Sequence, residues 1–531
     1  MASSPRKRIA IVGGGFCGIT QIIMLKEENL EPYCFEKTDK PFGTWNYREE
    51  STVGVPSLMP STIINHSKEY GAYSNFPPDK ELPNYMKHKQ ILNYFMSYAN
   101  KNDALKHIQY NSEVLEVKRA TDYEETGRWN VSVKNTISGK VTSDIYDGVV
   151  ISVGHINIPN WPSYEGQNLF KGKIIHTHSL KGVAEYANKN VVAVGMGCSA
   201  LDAAVETSNV ANQVYLSTRS GAHVLTRAGP HGLPVDYVLF RRYITICLDV
   251  LPTNLCSWLL ECFLLDLKFN SRLYAVAPKF HILSKDPVFN DHLASKLISG
   301  SIIQKREISK FTETGVIFEG ETSITEADAV IIGTGYTWKL PFLEKDIRTD
   351  LENQINLYKC IWPPNLKHST LAFAGFFLPF GPGFPIGELQ CRFIAQVLAG
   401  NVKLPSKKEM LEDITKRNED NEHRYGPSDK QNIHVDYVQY KDELAEQIGA
   451  KPNLWKILFT DPQLWLKLVF GPCVPYQFRL QGPHPWAGAR EAIMTCDERV
   501  IYPLNGKEIE RLESPLVLYV KKFLYFLLPM A

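Results

Sequence analysis

The stretches IAIVGGGFCG, Ile9–Gly18, and VVAVGMGCSA, Val191–Ala200, decide the fold of this 531-residue chain. In each, a short apolar run predicts a buried strand, and the glycines that follow predict a tight turn into a helix. Such a turn lets the backbone approach a pyrophosphate, which then rests on the amides at the helix N-terminus. One such motif recurs by chance, but two in this context predict two dinucleotides in one polypeptide.

The residues that follow each motif distinguish the two dinucleotides. After the first, the strand Pro32–Phe35 ends on Glu36, whose carboxylate can accept hydrogen bonds from ribose hydroxyls. After the second, the matching strand Val214–Ser217 leads to Thr218 and Arg219, with no acid there. Because arginine offers a two-pronged donor to phosphate oxygens, the sequence predicts FAD at the first site and NADPH at the second. A solvated cation at a strand end is the alternative interpretation of Arg219.

Composition and charge exclude several functional classes. The chain has 58 basic and 57 acidic residues, and it has no basic stripe with interleaved aromatic residues, so no nucleic-acid partner is expected. Its ten cysteines form no CxxC pair and no zinc-type spacing, so neither a metal site nor a redox dithiol is expected. The N-terminal MASSPRKR has no pattern of a secretory signal peptide, which favours a folded part that faces the cytosol.

The order of the motifs predicts an inserted domain. Two similar segments, Asp147–Gly154 (DGVVISVG) and Asp328–Gly335 (DAVIIGTG), bracket the second glycine motif. We therefore expect an α/β fold with two Rossmann-like domains, in which the NADPH domain is inserted into the FAD domain. The expected boundaries are 1–160 and 331–445 for the two parts of the FAD domain, 161–330 for the NADPH domain, and 446–531 for a C-terminal region.

Two regions are unusually apolar. The segment Tyr237–Leu267 forms an apolar insertion in the second domain. The tail Pro515–Pro529, PLVLYVKKFLYFLLP, is shorter than the roughly 20 residues of a membrane-spanning helix, and it carries Lys521 and Lys522 in its middle. This pattern favours a segment anchored at a membrane surface. A helix docked on the protein's own core is the alternative.

Further motifs carry a resemblance to a known family. They are FEK at Phe35–Lys37, GTWNY around Trp45, INHSKE around Asn65, NFPPDKELPNYM, FKGKIIHTHS, YLSTRSGA, IIGTGY, YKCIWPPNL, GELQCRF, LFTDP and QGPHPWAGAR. On these, nearly the whole chain resembles the animal flavin-containing monooxygenases, the microsomal dimethylaniline-type N- and S-oxygenases. The chain departs from the family pattern at Leu180, where an aromatic residue is usual, at Cys198, where asparagine is usual, and at Ala200, the third glycine position.

The resemblance implies an NADPH- and O2-dependent flavin monooxygenase. In that family, NADPH reduces FAD, O2 adds at the flavin C4a, and the resulting hydroperoxide oxygenates soft nucleophiles such as amines, thioethers and related xenobiotics. The resemblance also implies a place on the endoplasmic reticulum membrane, with the catalytic part facing the cytosol. Three alternatives stay open: Baeyer–Villiger oxygenation of ketones, NADPH oxidase activity, and a non-catalytic nucleotide-binding redox sensor. The physiological substrate and assembly into a homo-oligomer also stay open.

Asn65 is the expected catalytic residue. Its carboxamide offers two donors and an acceptor without a charge, and the resemblance implies contact with the flavin adduct and the retained nicotinamide. An asparagine that only holds its own turn is the alternative. The expected cofactor-binding residues, in chain order, are Gly13, Gly14, Gly15, Phe16, Cys17, Gly18, Glu36, Lys37, Gly43, Thr44, Trp45, Ile64, Asn65, His66, Gly195, Gly197, Cys198, Ser199, Ala200, Leu201, Asp202, Thr218, Arg219, Thr334 and Gly335.

Overall fold

A computed structural model describes residues 5–266, 269–353, 355–426 and 433–505. Within these ranges the strands, numbered in chain order, are β1 Arg8–Val12, β2 Glu31–Phe35, β3 Ile108–Gln109, β4 Ser112–Arg119, β5 Trp129–Asn135, β6 Val141–Tyr146, β7 Gly148–Ile151, β8 Ile158–Pro159, β9 Lys173–His176, β10 Asn190–Val194, β11 Gln213–Ser217, β12 Val224–Leu225, β13 Val288–Phe289, β14 Ile302–Lys305, β15 Ile308–Phe311, β16 Gly315–Phe318, β17 Thr325–Glu326, β18 Ala329–Ile332, β19 Tyr336–Thr337, β20 Leu371–Phe373, β21 Leu378–Phe380 and β22 His434–Asp436.

The α-helices of the described residues connect and cover these strands. They are α1 Phe16–Glu27, α2 His88–Lys101, α3 Tyr123–Thr126, α4 Cys198–Thr207, α5 Val235–Leu239, α6 Arg242–Val250, α7 Thr253–Leu260, α8 Leu293–Ile298, α9 Lys345–Asn353, α10 Phe384–Ala399, α11 Lys407–Tyr425, α12 Tyr437–Gln447, α13 Leu454–Thr460, α14 Pro462–Phe470, α15 Ala489–Met494 and α16 Cys496–Asn505. Both glycine motifs lie where predicted, between a strand and a helix: β1 precedes α1, and β10 precedes α4.

Two five-stranded parallel sheets organise the fold. The first has the strand order β20-β7-β1-β2-β3, and the second has the order β14-β11-β10-β18-β9. Every strand of the second sheet lies in the chain between β7 and β20 of the first. The chain therefore leaves the first sheet after β7, builds the second sheet, and returns with β20. Smaller antiparallel sheets, β4-β5-β6 and β15-β16-β17, accompany them.

Both parallel sheets are buried on both faces, which explains the continuous apolar runs in the sequence. In β1, Ile9 and Ile11 pack into one core cluster, whereas Ala10 and Val12 pack into another on the opposite face. The same alternation divides β10 between two further clusters. Because successive side chains of a strand point to opposite faces, each sheet needs apolar cover on both sides.

The apolar insertion folds into α5, α6 and α7 and a π-helical turn, Glu261–Asp266. Leu267, its predicted last residue, lies outside the described residues. No described helix combines the length and the hydropathy that crossing a bilayer requires. The predicted membrane-anchoring tail, 515–529, also lies outside the described residues, so the expectation of a C-terminal membrane segment receives no support from the described fold.

Candidate functional site

The first glycine loop is shaped for close backbone approach. Gly13 has a φ of +102°, and a Cβ there would lie 2.7 Å from the carbonyl oxygen of Ser152. A Cβ on Gly18 would lie 1.9 Å from the carbonyl oxygen of Gly13, so α1 packs directly against the loop. At Gly15, by contrast, the nearest atom is 4.0 Å away, so this side of the loop is open. The cradle therefore fits a pyrophosphate on the open amide face.

Glu36 lies at this loop rather than in solvent. One carboxylate oxygen accepts a hydrogen bond from the backbone N–H of Gly14 at 2.7 Å. The other accepts from the backbone N–H and the hydroxyl of Thr38, at 2.8 and 2.7 Å. A carboxylate has about four lone-pair positions, so these three donors leave acceptor capacity for a ribose hydroxyl. The remaining acceptor capacity of Glu36 fits the ribose in the adenosine half of FAD.

The second glycine loop has the same form, except that alanine stands at its third glycine position. Gly195 has a φ of +118°, and its Cβ would lie 2.5 Å from the carbonyl oxygen of Gly333, whereas a Cβ on Gly197 would meet no atom within 4 Å. Ala200 replaces the usual third glycine, and a Cβ on Gly333 would lie only 2.5 Å from the Cβ of Ala200. Gly333, at the end of β18, thus provides the space that Ala200 fills.

The open face of Gly197 allows a direct test of the second cradle. We expect Gly197→Ala to fold and to bind FAD normally, but to bind NADP+ at least about tenfold more weakly, because the new methyl group occupies the pyrophosphate face. Titration of the purified flavoprotein with NADP+ measures this. Gly182→Ala is the matched control, since a Cβ there also meets no atom within 4 Å. An unchanged dissociation constant for Gly197→Ala would contradict the predicted binding mode.

The end of β11 presents Arg219 to solvent, while Thr218 belongs to the turn. Thr218 is buried, donates its backbone N–H to the carbonyl of Lys305, and accepts at its hydroxyl from the N–H of Gly221. Arg219 is exposed, and no carboxylate among the described residues lies within 4.0 Å of it. The guanidinium is therefore available to an anionic ligand at the carboxyl edge of the second sheet.

Asn65 joins the two halves of the site. Its Nδ2 donates to Sγ of Cys198 in the second glycine loop at 3.3 Å, and its Oδ1 accepts from Nη2 of Arg227 at 2.8 Å. These partners lie 133 and 162 residues away in the chain. The carboxamide thus reaches across to the second nucleotide loop, and its hydrogen bonds are not those of an asparagine that holds its own turn.

Burial shifts the pKa values of three ionisable groups around Asn65 toward their neutral forms, although Asp202 remains mostly ionised at pH 7. Burial lowers the pKa of His66 to about 4, so its imidazole is neutral at physiological pH. Burial also raises the pKa of the Cys198 thiol, and it raises the pKa of Asp202 to about 6, where Asn290 donates to its carboxylate at 3.1 Å. The cation in contact with the Asn65 carboxamide is Arg227.

A buried polar network holds the loop that carries Asn65. The backbone N–H of Ser67 donates to Oδ2 of Asp236 at 2.6 Å, Lys68 donates to three backbone carbonyls at 2.7 to 3.1 Å, and Glu69 accepts two hydrogen bonds from Arg499 at 2.8 and 2.9 Å. All of these side chains except that of Arg499 are fully or almost fully buried. Buried charges are tolerated only when they are paired in this way, so the network fixes the loop firmly.

Asp236 makes the stability of this network depend on pH. Burial raises its pKa to about 7, compared with about 3.9 for an unfolded aspartate. Between these values the folded state holds a proton that the unfolded state lacks, so stability should fall as the pH rises from about 4 to about 7, by at most about 4 kcal/mol. Asp236→Asn should flatten this slope, because an amide does not titrate. The fold should persist, since the amide oxygen can still accept from the N–H of Ser67. Denaturant unfolding of both proteins at several pH values measures it, and equal slopes would contradict the assignment.

Other predicted cofactor residues line the first loop. Gly43, Thr44 and Trp45 form a short 3₁₀ turn, which follows the hydrogen bond from the N–H of Phe42 to the carbonyl of Gly14 at 2.8 Å. The rings of Phe16 and Phe384 are tilted against each other with 4.5 Å between centroids, and the ring of His66 meets Phe384 edge-on at 4.9 Å. Ile64 is buried in the core below. Cys17 and Ser199 lie in the first turns of α1 and α4.

Several predicted residues lie apart from this cluster or have other partners. Lys37 forms an ion pair with Glu113 at 3.0 Å on the surface. The hydroxyl of Thr334 donates to the carbonyl of Asn160 at 2.6 Å, and the carbonyl of Gly335 accepts from the N–H of the same residue. The side chain of Leu201 is fully buried in the core under the second loop. Their predicted roles in cofactor binding stay predictions.

Sequence reasoning missed the residues that reach the Asn65 loop from far along the chain. Arg227 and Asp236 contact the loop directly, whereas Asp291 holds Arg227 and Asn290 holds Asp202 of the second glycine loop's helix. Each is a single polar residue in an unremarkable context, and none belongs to a recognisable motif. No signal in one sequence announces such a contact, because the fold alone brings the segments together.

Two glycine cradles on two parallel sheets, bridged by a neutral amide, define a two-dinucleotide flavoprotein. The chain belongs to the flavin-binding monooxygenase-like family, whose family model matches residues 6–531. It is therefore an NADPH-dependent flavin monooxygenase with FAD and NADPH as its cofactors.

Sequence relatives and solved structures agree with this family. The chain is 40% identical to flavin-containing monooxygenase 5 of Homo sapiens over 511 residues, which cover 96% of this chain and 95% of that protein. It is 39% identical to dimethylaniline monooxygenase [N-oxide-forming] 2 of Oryctolagus cuniculus over 520 residues, covering 98% and 97% of the two chains. The fold is similar to that of S-allyl-L-cysteine S-oxygenase from Allium sativum, with a TM-score of 0.63, 20% identity, and coverage of 92% and 99%. It is also similar to closed cyclohexanone monooxygenase, with a TM-score of 0.61, 16% identity, and coverage of 83% and 97%.

Proposed function

We propose that this enzyme oxygenates the nitrogen or sulfur atom of soft nucleophiles such as tertiary amines and thioethers. The observation that carries the proposal is Asn65, a neutral amide donor that faces the second nucleotide loop. FAD, once reduced by NADPH, supplies the chemistry that activates O2. The chain's own residues bind and orient the cofactors, and burial raises the pKa of the neighbouring Cys198 thiol, which keeps it in its less nucleophilic protonated form. The names of related proteins, an N-oxide-forming monooxygenase and an S-oxygenase, support the same reaction class.

Each part of the site has a proposed role. The open faces of the two glycine loops receive the two pyrophosphates, Glu36 holds the FAD ribose, and Arg219 holds the 2′-phosphate of NADPH. Asn65 donates one amide hydrogen to Cys198 and would offer the other to the cofactors. We further propose the domain boundaries given above, because the chain returns from β18 of the second sheet to β20 of the first.

A product assay tests the proposed reaction. Purified enzyme with NADPH and ¹⁸O2 should convert N,N-dimethylaniline to its N-oxide and methyl phenyl sulfide to its sulfoxide, each with one labelled oxygen. Phenylacetone serves as the ketone probe in the same preparation. An ester as the dominant product would replace the proposal with Baeyer–Villiger oxygenation, and hydrogen peroxide without any product would replace it with NADPH oxidase activity.

We also propose that the enzyme associates with the endoplasmic reticulum membrane. Four helices, α6, α7, α13 and α14, expose large apolar side chains: Ile246, Val250, Leu255, Trp258, Trp455, Phe459, Leu466 and Phe470. Trp455 and Phe459 are 77% and 81% exposed. Helix α14 packs against α6 and α13, and exposed apolar residues on neighbouring helices, with tryptophans among them, are typical of surfaces that contact a lipid interface. The tail 515–529 would add a second anchor.

The exposed aromatic residues of α13 provide a test. The double variant Trp455→Ser, Phe459→Ser should bind phosphatidylcholine vesicles several-fold more weakly in a sedimentation assay, because apolar area drives interfacial binding. Ile137→Ser, at a 78% exposed position in the turn between β5 and β6, is the matched control. A chain cut before Pro515 separates the contribution of the tail. Equal vesicle binding by the double variant would exclude α13 from the membrane contact.

A further inference from the structure

Arg227 connects Asn65 to an acidic residue of the second domain. Its backbone N–H and its Nη1 both donate to the carboxylate of Asp291, at 2.7 and 2.6 Å. Its Nε donates to the carbonyl of Ile64, and its Nη2 donates to the carbonyl of Ile63, both at 3.1 Å. The same Nη2 also donates to Oδ1 of Asn65. The side chain is only 12% exposed, so the guanidinium is held on all sides.

This arrangement decides which way the Asn65 carboxamide faces. A guanidinium has donors only and no acceptor. If the amide were flipped, its NH2 group would face those donors, and one hydrogen bond to a charged partner would be lost. Charge-assisted hydrogen bonds are the stronger ones. The carbonyl oxygen of Asn65 is therefore held toward Arg227, and both amide hydrogens are left for the side of Cys198 and the cofactors.

We propose that Arg227, itself held by Asp291, is a positioning residue that fixes the orientation of the Asn65 amide. This inference rests on the proposed role of Asn65 and extends it to two residues of the second domain. Arg227 also connects the two domains at this site. It follows β12 of the second domain and donates hydrogen bonds to the carbonyls of Ile63 and Ile64 in the first. In this proposal Arg227 acts through Asn65 and not on a cofactor directly.

A double-mutant cycle tests the proposal on the full-length enzyme with FAD. Arg227→Lys keeps the charge but loses the planar donor set, so the amide should lose its fixed orientation. We measure the visible difference spectrum of the oxidised flavin when NADP+ binds, together with product formed per NADPH. Misplacement of about 1 Å can cost up to about 10²-fold, so Arg227→Lys should lower coupling roughly tenfold and change the difference spectrum. Arg490→Lys, in an exposed ion pair with Asp461, is the matched control.

The cycle separates positioning from mere structural support. In an Asn65→Ala background, Arg227→Lys should change neither the spectrum nor the coupling further, because no amide remains to be oriented. Additive effects of the two substitutions would overturn the proposal. So would a normal spectrum and normal coupling in Arg227→Lys while Asn65→Ala is impaired. If Asn65→Ala itself behaved like the wild type, the role of Asn65 would fail first, and the proposal with it.

A second variant covers the case in which Arg227→Lys does not fold. Asp291→Asn retains an acceptor for the backbone N–H of Arg227 but removes the charge that holds its side chain. We expect it to shift the spectrum and the coupling in the same direction by a smaller factor. Addition of guanidinium at millimolar concentration to Arg227→Ala should restore part of the coupling. Unchanged behaviour of Asp291→Asn together with no rescue would overturn the proposal.

Discussion

Arg219→Ala should weaken NADPH binding by roughly ten- to a hundredfold and leave NADH binding nearly unchanged. The guanidinium is exposed at the end of β11, next to the strand edge where a Rossmann-type fold places the adenosine ribose. Losing a two-pronged, charge-assisted contact with a phosphate should cost about 1.5–3 kcal/mol. NADH has no 2′-phosphate and therefore loses nothing comparable. Equilibrium titration of the flavoprotein with each nucleotide gives the two dissociation constants.

The neighbouring strand offers a control of the same charge. Arg306 follows β14, is exposed, and accepts a hydrogen bond from the hydroxyl of Ser217 at its backbone carbonyl at 3.0 Å. Arg306→Ala removes one positive charge from the same edge without touching Arg219, and it should affect NADPH binding much less. If both variants weakened NADPH equally, the general positive field would matter and not a specific contact. If Arg219→Ala weakened NADPH and NADH equally, Arg219 would not recognise the 2′-phosphate.

The elements that could be predicted from the sequence are those whose signal is local. The run Ile9–Val12 and the run Val191–Val194 predict strands correctly, because a strand covered on both faces is continuously apolar. The glycines of the two loops are also local signals: Gly13 and Gly195 have positive φ values, whereas Gly15 and Gly197 keep open the face that a ligand would approach. The return of the chain to the first sheet followed from the similarity of Asp328–Gly335 to Asp147–Gly154, and β20 does pair with β7.

The contacts that orient the site could not be predicted in this way. The bond between Arg227 and Asn65 spans 162 residues, and a single sequence contains no information about which distant polar residues meet. The packing of Ala200 is a similar case. The alanine at the third glycine position is visible in the motif, but the space for its methyl group is provided by Gly333, which follows another strand. Sequence patterns thus located the nucleotide loops, whereas the orientation of the Asn65 amide required the packed fold.

Asn65→Asp should leave FAD bound but should divert NADPH consumption from oxygenated product to hydrogen peroxide. FAD should stay bound because the first glycine loop and Glu36 are unchanged. The new carboxylate would pair with Arg227 through one oxygen and place its other oxygen near Cys198, where Asn65 now donates. Both amide hydrogens are lost. Removing one donor from a preorganised site costs about 10²–10³ in rate in acyl transfer, and we expect an effect of this order on oxygenation.

Three measurements on one preparation decide the outcome. FAD content, product per NADPH and hydrogen peroxide per NADPH are compared between the wild type, Asn65→Asp, and Asn93→Asp as the control. Asn93 is an exposed asparagine of α2, so its substitution adds the same charge without touching the site. Asn65→Asp should keep its FAD and raise the peroxide share, while Asn93→Asp should match the wild type. Unchanged coupling in Asn65→Asp would show that the amide donors of Asn65 have no part in oxygen transfer, because the substitution removes both of them and leaves the acceptor toward Arg227 in place.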